Sequence, residues 1–277
     1  MGLRINTNVQ ALAAQRSLGI NRQAQEQSLE RLSSGYRINR AGDDAAGLAI
    51  SDHIRANTRS LGQAGRNAQD GISMIQVAEG GTNEISNILV RMRELSIQAA
   101  SDTIGDTERG FINKEIQALK AETNRIANNT EFNGTKLLNG SADMLEIQVG
   151  INNDAVQDRL KFDPAQQNVS VDSLGLTDVN TMNKVSSQEN LAKLDAAITN
   201  VNSNRSDLGA IQNRLQSTIN NINTYRENLE AARSRIKDTD MAQETSEMTK
   251  NNILTQAGIS VLGQANQNPQ MALKLLG

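Results

Sequence analysis

The chain has 277 residues, no cysteine, no tryptophan, 2% aromatic residues, 21% charged residues and a net charge of −3 at pH 7. This excludes disulfides and thiolate metal sites, and it argues against a nucleic-acid binder, which needs a clustered basic face to neutralise phosphates. It also withholds the aromatic mass that a large globular core buries, so apolar surface must come from Leu, Ile, Val, Ala and Met in narrow stripes.

Ile5, Val9 and Leu12, then Leu18, Leu29 and Leu32, give two stretches of helical spacing, broken around Gly19 and ended near Ser34-Gly35. Residues 1–45 read as an amphipathic arm. A stronger series, Ile54, Leu61, Ala64, Ala68, Ile75, Ala78, Ile85, Leu89, Met92 and Ala99, steps only by three, four or seven and predicts a long helix. After turn-forming residues 102–106, the set Ile112, Ile116, Leu119 and Ile126 predicts a shorter one.

The middle changes character. Asn133-Gly134 and Asn139-Gly140 mark turns, and residues 144–149 and 155–162 read as strands joined by 150–154, a small β-hairpin region at about 133–176. Pro164 is the first proline, so nothing earlier forbids long helices, and Ser186 with Glu189 reads as a capping box opening the next one. In that helix Leu194, Val201, Leu208, Leu215, Ile222, Leu229 and Ile236 stand seven residues apart without a miss. A helix from 194 through 236 would be roughly 65 Å long at ~1.5 Å per residue. A compact chain of this length has a radius of gyration of only ~19 Å, so the pattern predicts helices drawn out into a rod.

The last segment repeats the logic of the first. Ile253, Leu254, Ala257, Val261 and Ala265 fall on one face, and Asn268-Pro269 reads as a cap and first turn before a final stretch containing Leu273 and Leu276. The expected fold is mostly α: an elongated helical coiled-coil rod with a small β-hairpin region and paired amphipathic terminal helices. The expected domains are an N-terminal arm (1–45), a rod domain (46–240) and a C-terminal arm (241–277). Apolar faces at both ends need a partner. Subunit-to-subunit assembly through paired ends is the sharper expectation, and folding of the arms back onto the rod is the alternative.

A catalytic reading finds no support. His53 is the only histidine and has no HExxH partner, thiol or second imidazole in sequence reach. Asp43-Asp44, Asp238, Asp240 and Glu244 lack EF-hand spacing, and Asn-x-Ser/Thr matches such as Asn204-Arg205-Ser206 are too common in an Asn-rich chain to imply glycosylation. No enzyme, cofactor or metal is expected. No run of ~18 apolar residues exists to cross a bilayer. Residues 1–19 alternate polar and apolar side chains where a signal peptide has a solid apolar core, so the chain is expected either to stay in the cytoplasm or to leave by another route.

Three runs carry a family resemblance at the front: Ile5-Asn6-Thr7-Asn8, Leu29-Glu30-Arg31-Leu32-Ser33-Ser34-Gly35, and Ile38-Asn39-Arg40-Ala41-Gly42-Asp43-Asp44-Ala45-Ala46-Gly47-Leu48-Ala49-Ile50. Two carry it at the back: Ala232-Arg233-Ser234-Arg235-Ile236 and Gln256-Ala257-Gly258-Ile259-Ser260-Val261-Leu262-Gly263-Gln264-Ala265-Asn266-Gln267. Over nearly its whole length the chain resembles bacterial flagellin. The resemblance implies a filament subunit for motility, with the two arms paired in an inner tube and the remaining helices and hairpin outside. It implies a short form, since only residues 162–185 separate hairpin from last long helix. It also implies export without a cleaved signal peptide to an extracellular filament. The implied partners are other subunits, the filament cap, hook-filament junction proteins and an export chaperone. Host Toll-like receptor 5 is implied too, through Arg91, Leu95 and Glu115, matched by Arg91-Met92-Arg93-Glu94-Leu95 and Asn113-Lys114-Glu115-Ile116. A hook-filament junction protein is the alternative; the runs from Arg31 to Ile50 favour the filament subunit. A cytoplasmic signalling coiled coil would explain the heptads but not the apolar ends.

Overall fold

The chain holds two prolines, and its helices run correspondingly long. A computed structural model describes the backbone from residue 7 to 274 and side chains from 7 to 267. Ile5 and Leu276 lie outside the described residues, as does the side chain of Leu273. Among the described residues, five helices and four short strands follow in order: α1 (Val9–Ser34), α2 (Ala45–Ala100), α3 (Asp106–Asn129), β1 (Glu131–Phe132), β2 (Thr135–Lys136), β3 (Leu145–Gln148), β4 (Arg159–Phe162), α4 (Lys184–Lys237) and α5 (Met241–Lys274). The fold is mostly α, as the periodicity predicts.

Two compact units divide the chain, residues 57–227 and residues 1–56 with 228–277. The division falls inside α2 and α4, not at the expected boundaries near 45 and 240. Within the two-ended unit, the segment after α1 and the segment after α4 hold each other. Arg37 N–H donates to the Lys237 carbonyl at 2.7 Å, Thr239 N–H donates to the Gly35 carbonyl at 2.9 Å, and Tyr36 bridges to Asp238. These bonds keep the first turns of α2 and the last turns of α4 with the arms.

In the 57–227 unit, α2 buries Leu61, Ala64, Ala68, Ile75, Ala78, Ile85, Leu89, Met92 and Ala99 along one stripe. On α4, Leu194, Val201, Leu208 and Leu215 are fully buried and Ile222 nearly so. Leu229 and Ile236, further along the same seam, are half-buried and belong to the other unit. α3 adds Ile112, Ile116 and Ala127 to the core. Arg109, itself buried, closes the α2–α3 corner: its guanidinium donates to the Ala99 and Ser101 carbonyls at 2.9 and 3.0 Å and pairs with Asp106 at 2.8 Å. A cation at carbonyls without helical partners is where the helix dipole favours it.

The β region packs its apolar side on this bundle through Leu137, Leu138, Leu160, Phe162, Val169, Leu176 and Val179. Asn133 and Gly134, at φ 48° and 79°, form a tight turn that pairs β1 with β2. β3 and β4 pair antiparallel from Leu145↔Phe162 to Gln148↔Arg159. Both strands are shorter than expected. Residues 155–158 turn instead of extending, because the Asp154 carboxylate accepts the N–H groups of Val156 and Gln157 and the Asp158 N–H returns to the Asp154 carbonyl. The irregular stretch before α4 is pinned by successive turns of α3. Asn113 accepts Thr181 N–H, Gln117 donates to the Val179 carbonyl, and Lys120 donates to the Thr177 carbonyl at 2.6 Å.

Three local expectations are corrected. Gly19 does not break α1: it is exposed in an uninterrupted helix, where a single glycine costs only about 1 kcal/mol relative to alanine. α4 starts at Lys184, with Ser187 bonded back to the Asn183 carbonyl through both N–H and hydroxyl, so Ser186 lies inside the helix and is not its cap. α5 runs through Pro269 without a break at Asn268.

Leu215→Asp puts a carboxylate where the leucine is fully buried, and an unpaired buried polar group of that kind costs several kcal/mol. Thermal melting followed by circular dichroism should fall sharply for this variant. The volume-conserving Leu215→Met should lose less than about 1.5 kcal/mol.

Candidate assembly surfaces

α1 and α5 lie side by side, antiparallel, with contacts spread along their length. Asn8 Nδ2 donates to the Ala265 carbonyl at 2.8 Å, Gln25 Nε2 donates to Asn252 Oδ1 at 2.6 Å, and Arg31 pairs with Glu244 at 3.6 Å. The inward positions step by three and four on both helices. On α1 they are Asn8, Ala11, Ala14, Leu18, Asn21, Gln25, Ser28 and Leu32; on α5 they are Glu244, Met248, Asn251, Thr255, Gly258, Leu262 and Ala265. This is heptad geometry with the wrong chemistry for a strong seam. Leu18 is the only large apolar residue of the two helices that is buried among the described side chains. It fits because a Cβ at residue 258 would come within 2.9 Å of its Cδ2.

Most of the apolar residues face the other way. Val9, Leu12, Leu29, Ile253, Leu254 and Val261 range from 42% exposed (Leu254) to 65% exposed (Val9). Ala257 is exposed beside them and Leu32 is half-buried, while Ala265 belongs to the inward seam and not to the apolar stripe where the spacing put it. Ile20 and Ile259, which the sequence reading did not single out, extend the exposed stripe.

The magnitudes show what this arrangement lacks. Burying one leucine gains ~1.5–3 kcal/mol, whereas fixing each backbone residue costs ~1–2 kcal/mol. For helices of 26 and 34 residues so thin a seam contributes little, and the outward stripes leave apolar surface open to cover.

The connector from α1 to α2 explains its own residue run. The Asp43 carboxylate accepts the N–H groups of Asn39 and Arg40, each at 3.0 Å, and these backbone bonds, Arg40's first, hold its pKa below the usual aspartate value. Asp44 caps α2 by accepting Gly47 N–H at 2.8 Å. Glycine at residue 47 leaves these side chains in place, because a Cβ there would lie 2.4 Å from the Asp44 carboxylate and 2.8 Å from Ile38 Cδ1, and Ile38 is fully buried.

On the α2–α3 surface, the Arg91 guanidinium donates to Glu115 through Nε and Nη2 at 3.1 and 2.9 Å and to Glu94 at 3.2 Å. Glu115 first and Glu94 second raise the Arg91 pKa further. Leu95 is not part of this surface. At 2% exposure it lies in the core, so the helical spacing that put Arg91 and Leu95 in one patch joins a surface cation to the packing beneath it. The exposed apolar neighbour is Phe111, one turn before Glu115 on α3, with the Lys114 ammonium 5.8 Å from its ring. Neither Glu94 nor Phe111 was singled out by the sequence, since neither sits on a seam.

The pockets are open surface grooves lined by residues of α2, α4 and α5, the end of α1 and the β3–β4 turn. Among the described residues, no group of acidic or imidazole side chains could hold a metal ion.

Comparison with known proteins follows the same parts of the chain. The profile of the bacterial flagellin N-terminal helical region matches residues 5–143, and that of the C-terminal helical region matches residues 191–276. The chain is 45% identical to a flagellin of Halalkalibacterium halodurans, covering 98% of this chain and 99% of that one. It is also 45% identical to a flagellin of Bacillus subtilis, covering 99% and 100%. Among solved structures, Bacillus cereus flagellin superposes with a TM-score of 0.51 at 34% identity, covering 57% of this chain and 88% of that one. A Vibrio parahaemolyticus chain assigned as a flagellar hook-associated protein reaches 0.57 over 71% of this chain and all of its own length, but at 13% identity shares the fold alone.

Because the Asp43 pKa is lower in the fold than in the unfolded chain, its bonds stabilise the connector above the unfolded value near 3.8 and are lost as pH falls through the folded one. Amide-exchange protection of residues 36–48, corrected for intrinsic rates, should therefore drop as pH falls from the unfolded value near 3.8 toward the lower folded one. Asp43→Asn should lower protection at pH 7 and flatten that dependence.

Proposed function

We infer the working surfaces of this subunit from one premise: the chain belongs to the bacterial flagellin family and is a structural subunit of the flagellar filament. The arms α1 and α5 polymerise it. The observation that carries this reading is the inverted pair itself, with polar and small residues turned inward and Val9, Leu12, Leu29, Ile253, Leu254 and Val261 turned out. Such stripes gain order only when neighbouring subunits cover them, so assembly and folding of the arms become one event. A self-contact repeated with a fixed rotation that does not close builds a helical filament. The seam from Leu194 to Ile222 needs no neighbour and keeps the other unit folded in the free subunit.

Family membership also supports export without a cleaved signal peptide, and partnership with the filament cap, hook-filament junction proteins and an export chaperone. Recognition by Toll-like receptor 5 is the remaining partner reading. It is supported by the exposed network of Arg91, Glu94 and Glu115, with Leu95 supporting that surface from below.

Deleting residues 252–277, or substituting Leu12→Asp with Ile253→Asp, should abolish pelletable filaments after seeding and leave the melting of the 57–227 unit unchanged. Pelletable filaments at wild-type yield would overturn the assignment of the arms. Arg91→Ala with Glu115→Ala should lower receptor signalling by monomers at least tenfold, since losing a recognition hot spot costs ~2 kcal/mol or more. A pelleting assay on the same double variant tells whether that surface also serves the filament, and full signalling would remove it as a receptor site.

A further inference from the structure

We infer that Asn8 fixes the register of the arm pair by replacing, at the Ala265 carbonyl, the N–H group that Pro269 lacks. α5 continues through Pro269 to Lys274. A proline inside a helix has no N–H to give the carbonyl four residues earlier, and here that carbonyl belongs to Ala265, which is 5% exposed and poorly placed to find water. Asn8 Nδ2 donates to this same oxygen at 2.8 Å. The other half of the Asn8 amide is also engaged, since Oδ1 accepts Ala11 N–H at 3.1 Å and caps α1. One side chain therefore starts one helix and repairs the other.

The pairing needs asparagine. Aspartate keeps the cap acceptor but has no donor for the carbonyl, and serine is too short to serve both partners. The other polar contacts of the seam specify register less sharply. Gln25 meets Asn252 beside a second asparagine, Asn251, and the Arg31–Glu244 pair is long at 3.6 Å. Inside α5 its single proline deprives one carbonyl, that of Ala265, of its helical donor. A slip of α1 by one turn, ~5.4 Å, would leave it unsatisfied, much as one buried asparagine fixes register in a coiled coil. This role in assembly rests on the arms being the polymerising surfaces; the bond itself does not.

The test compares Asn8→Asp, Pro269→Ala and the double variant in seeded, pelleted filaments, reading amide-exchange protection over residues 258–274 and the critical concentration. With Pro269 present, Asn8→Asp should lower protection at least tenfold and raise the critical concentration about tenfold. With Pro269→Ala, which restores an N–H to the Ala265 carbonyl, the same substitution should change either reading less than twofold. Equal losses in both backgrounds, or no loss of protection in either, would overturn the proposal. If Asn8→Asp forms no filaments, their recovery in the double variant supports it and continued failure refutes it. If protection follows the predicted pattern while critical concentration is unmoved, in Leu12→Asp as well, the register role stands and the arms are not the polymerising surface.

Discussion

A helix much longer than a few turns persists in water only where one of its faces is covered, and the two units meet that constraint in opposite ways. Between α2 and α4 the covered face is aliphatic and complete, with Leu194, Val201, Leu208 and Leu215 excluded from solvent against the stripe of α2. Between α1 and α5 the covered face is mostly Asn, Gln, Ser, Ala and Gly, with Leu18, Leu32 and Leu262 its few aliphatic members, and most of the aliphatic residues stand in solvent. The same heptad spacing thus supports a self-sufficient bundle in one unit and a pair that depends on its surroundings in the other. Position in the heptad decides which residues meet, and residue type decides whether meeting is enough.

Much of this was legible in the sequence, because a seven-residue repeat of Leu, Val and Ile has one reading, and the burial of Leu194 through Ile222 follows from it. The end of α1 at Gly35, at φ 73°, was equally plain. The arms were harder. Apolar spacing located a stripe from Val9 to Leu29 and from Ile253 to Val261 but could not say which way it faces, because periodicity reports that residues share a side and not what lies there. Leu95 shows the same gap: four residues from Arg91 is one turn, yet a long arginine reaches the surface from a position where a leucine stays in the core. Proline and glycine rules failed at Gly19 and Pro269 for a different reason, since each is a local penalty that a long helix can absorb.

The connector is where local chemistry fixes residue identity most tightly. Asp43 ties down the backbone of Asn39 and Arg40, Asp44 caps α2, and Gly47 leaves room for both the Asp44 carboxylate and the buried Ile38. Substituting any of these would disturb the others, so the run reads as one folded corner. The specificity of that run in the sequence and the density of its contacts have the same origin.

One unit is made from both ends of the chain, and this bears on the order in which the protein can fold. Asn8 and the Ala265 carbonyl are separated by 257 positions, and closing a flexible loop of that size costs about 5 kcal/mol before any constant term. The 57–227 unit shortens that loop: once folded it sets Gly62 against Arg226, the Cβ position of one 3.8 Å from the guanidinium of the other, and on the same logarithmic scale this lowers the cost by about 1 kcal/mol. A chain delivered one end first cannot pair α1 with α5 until its last residues arrive, and its first helix must wait, unpaired, for the whole of the remaining sequence.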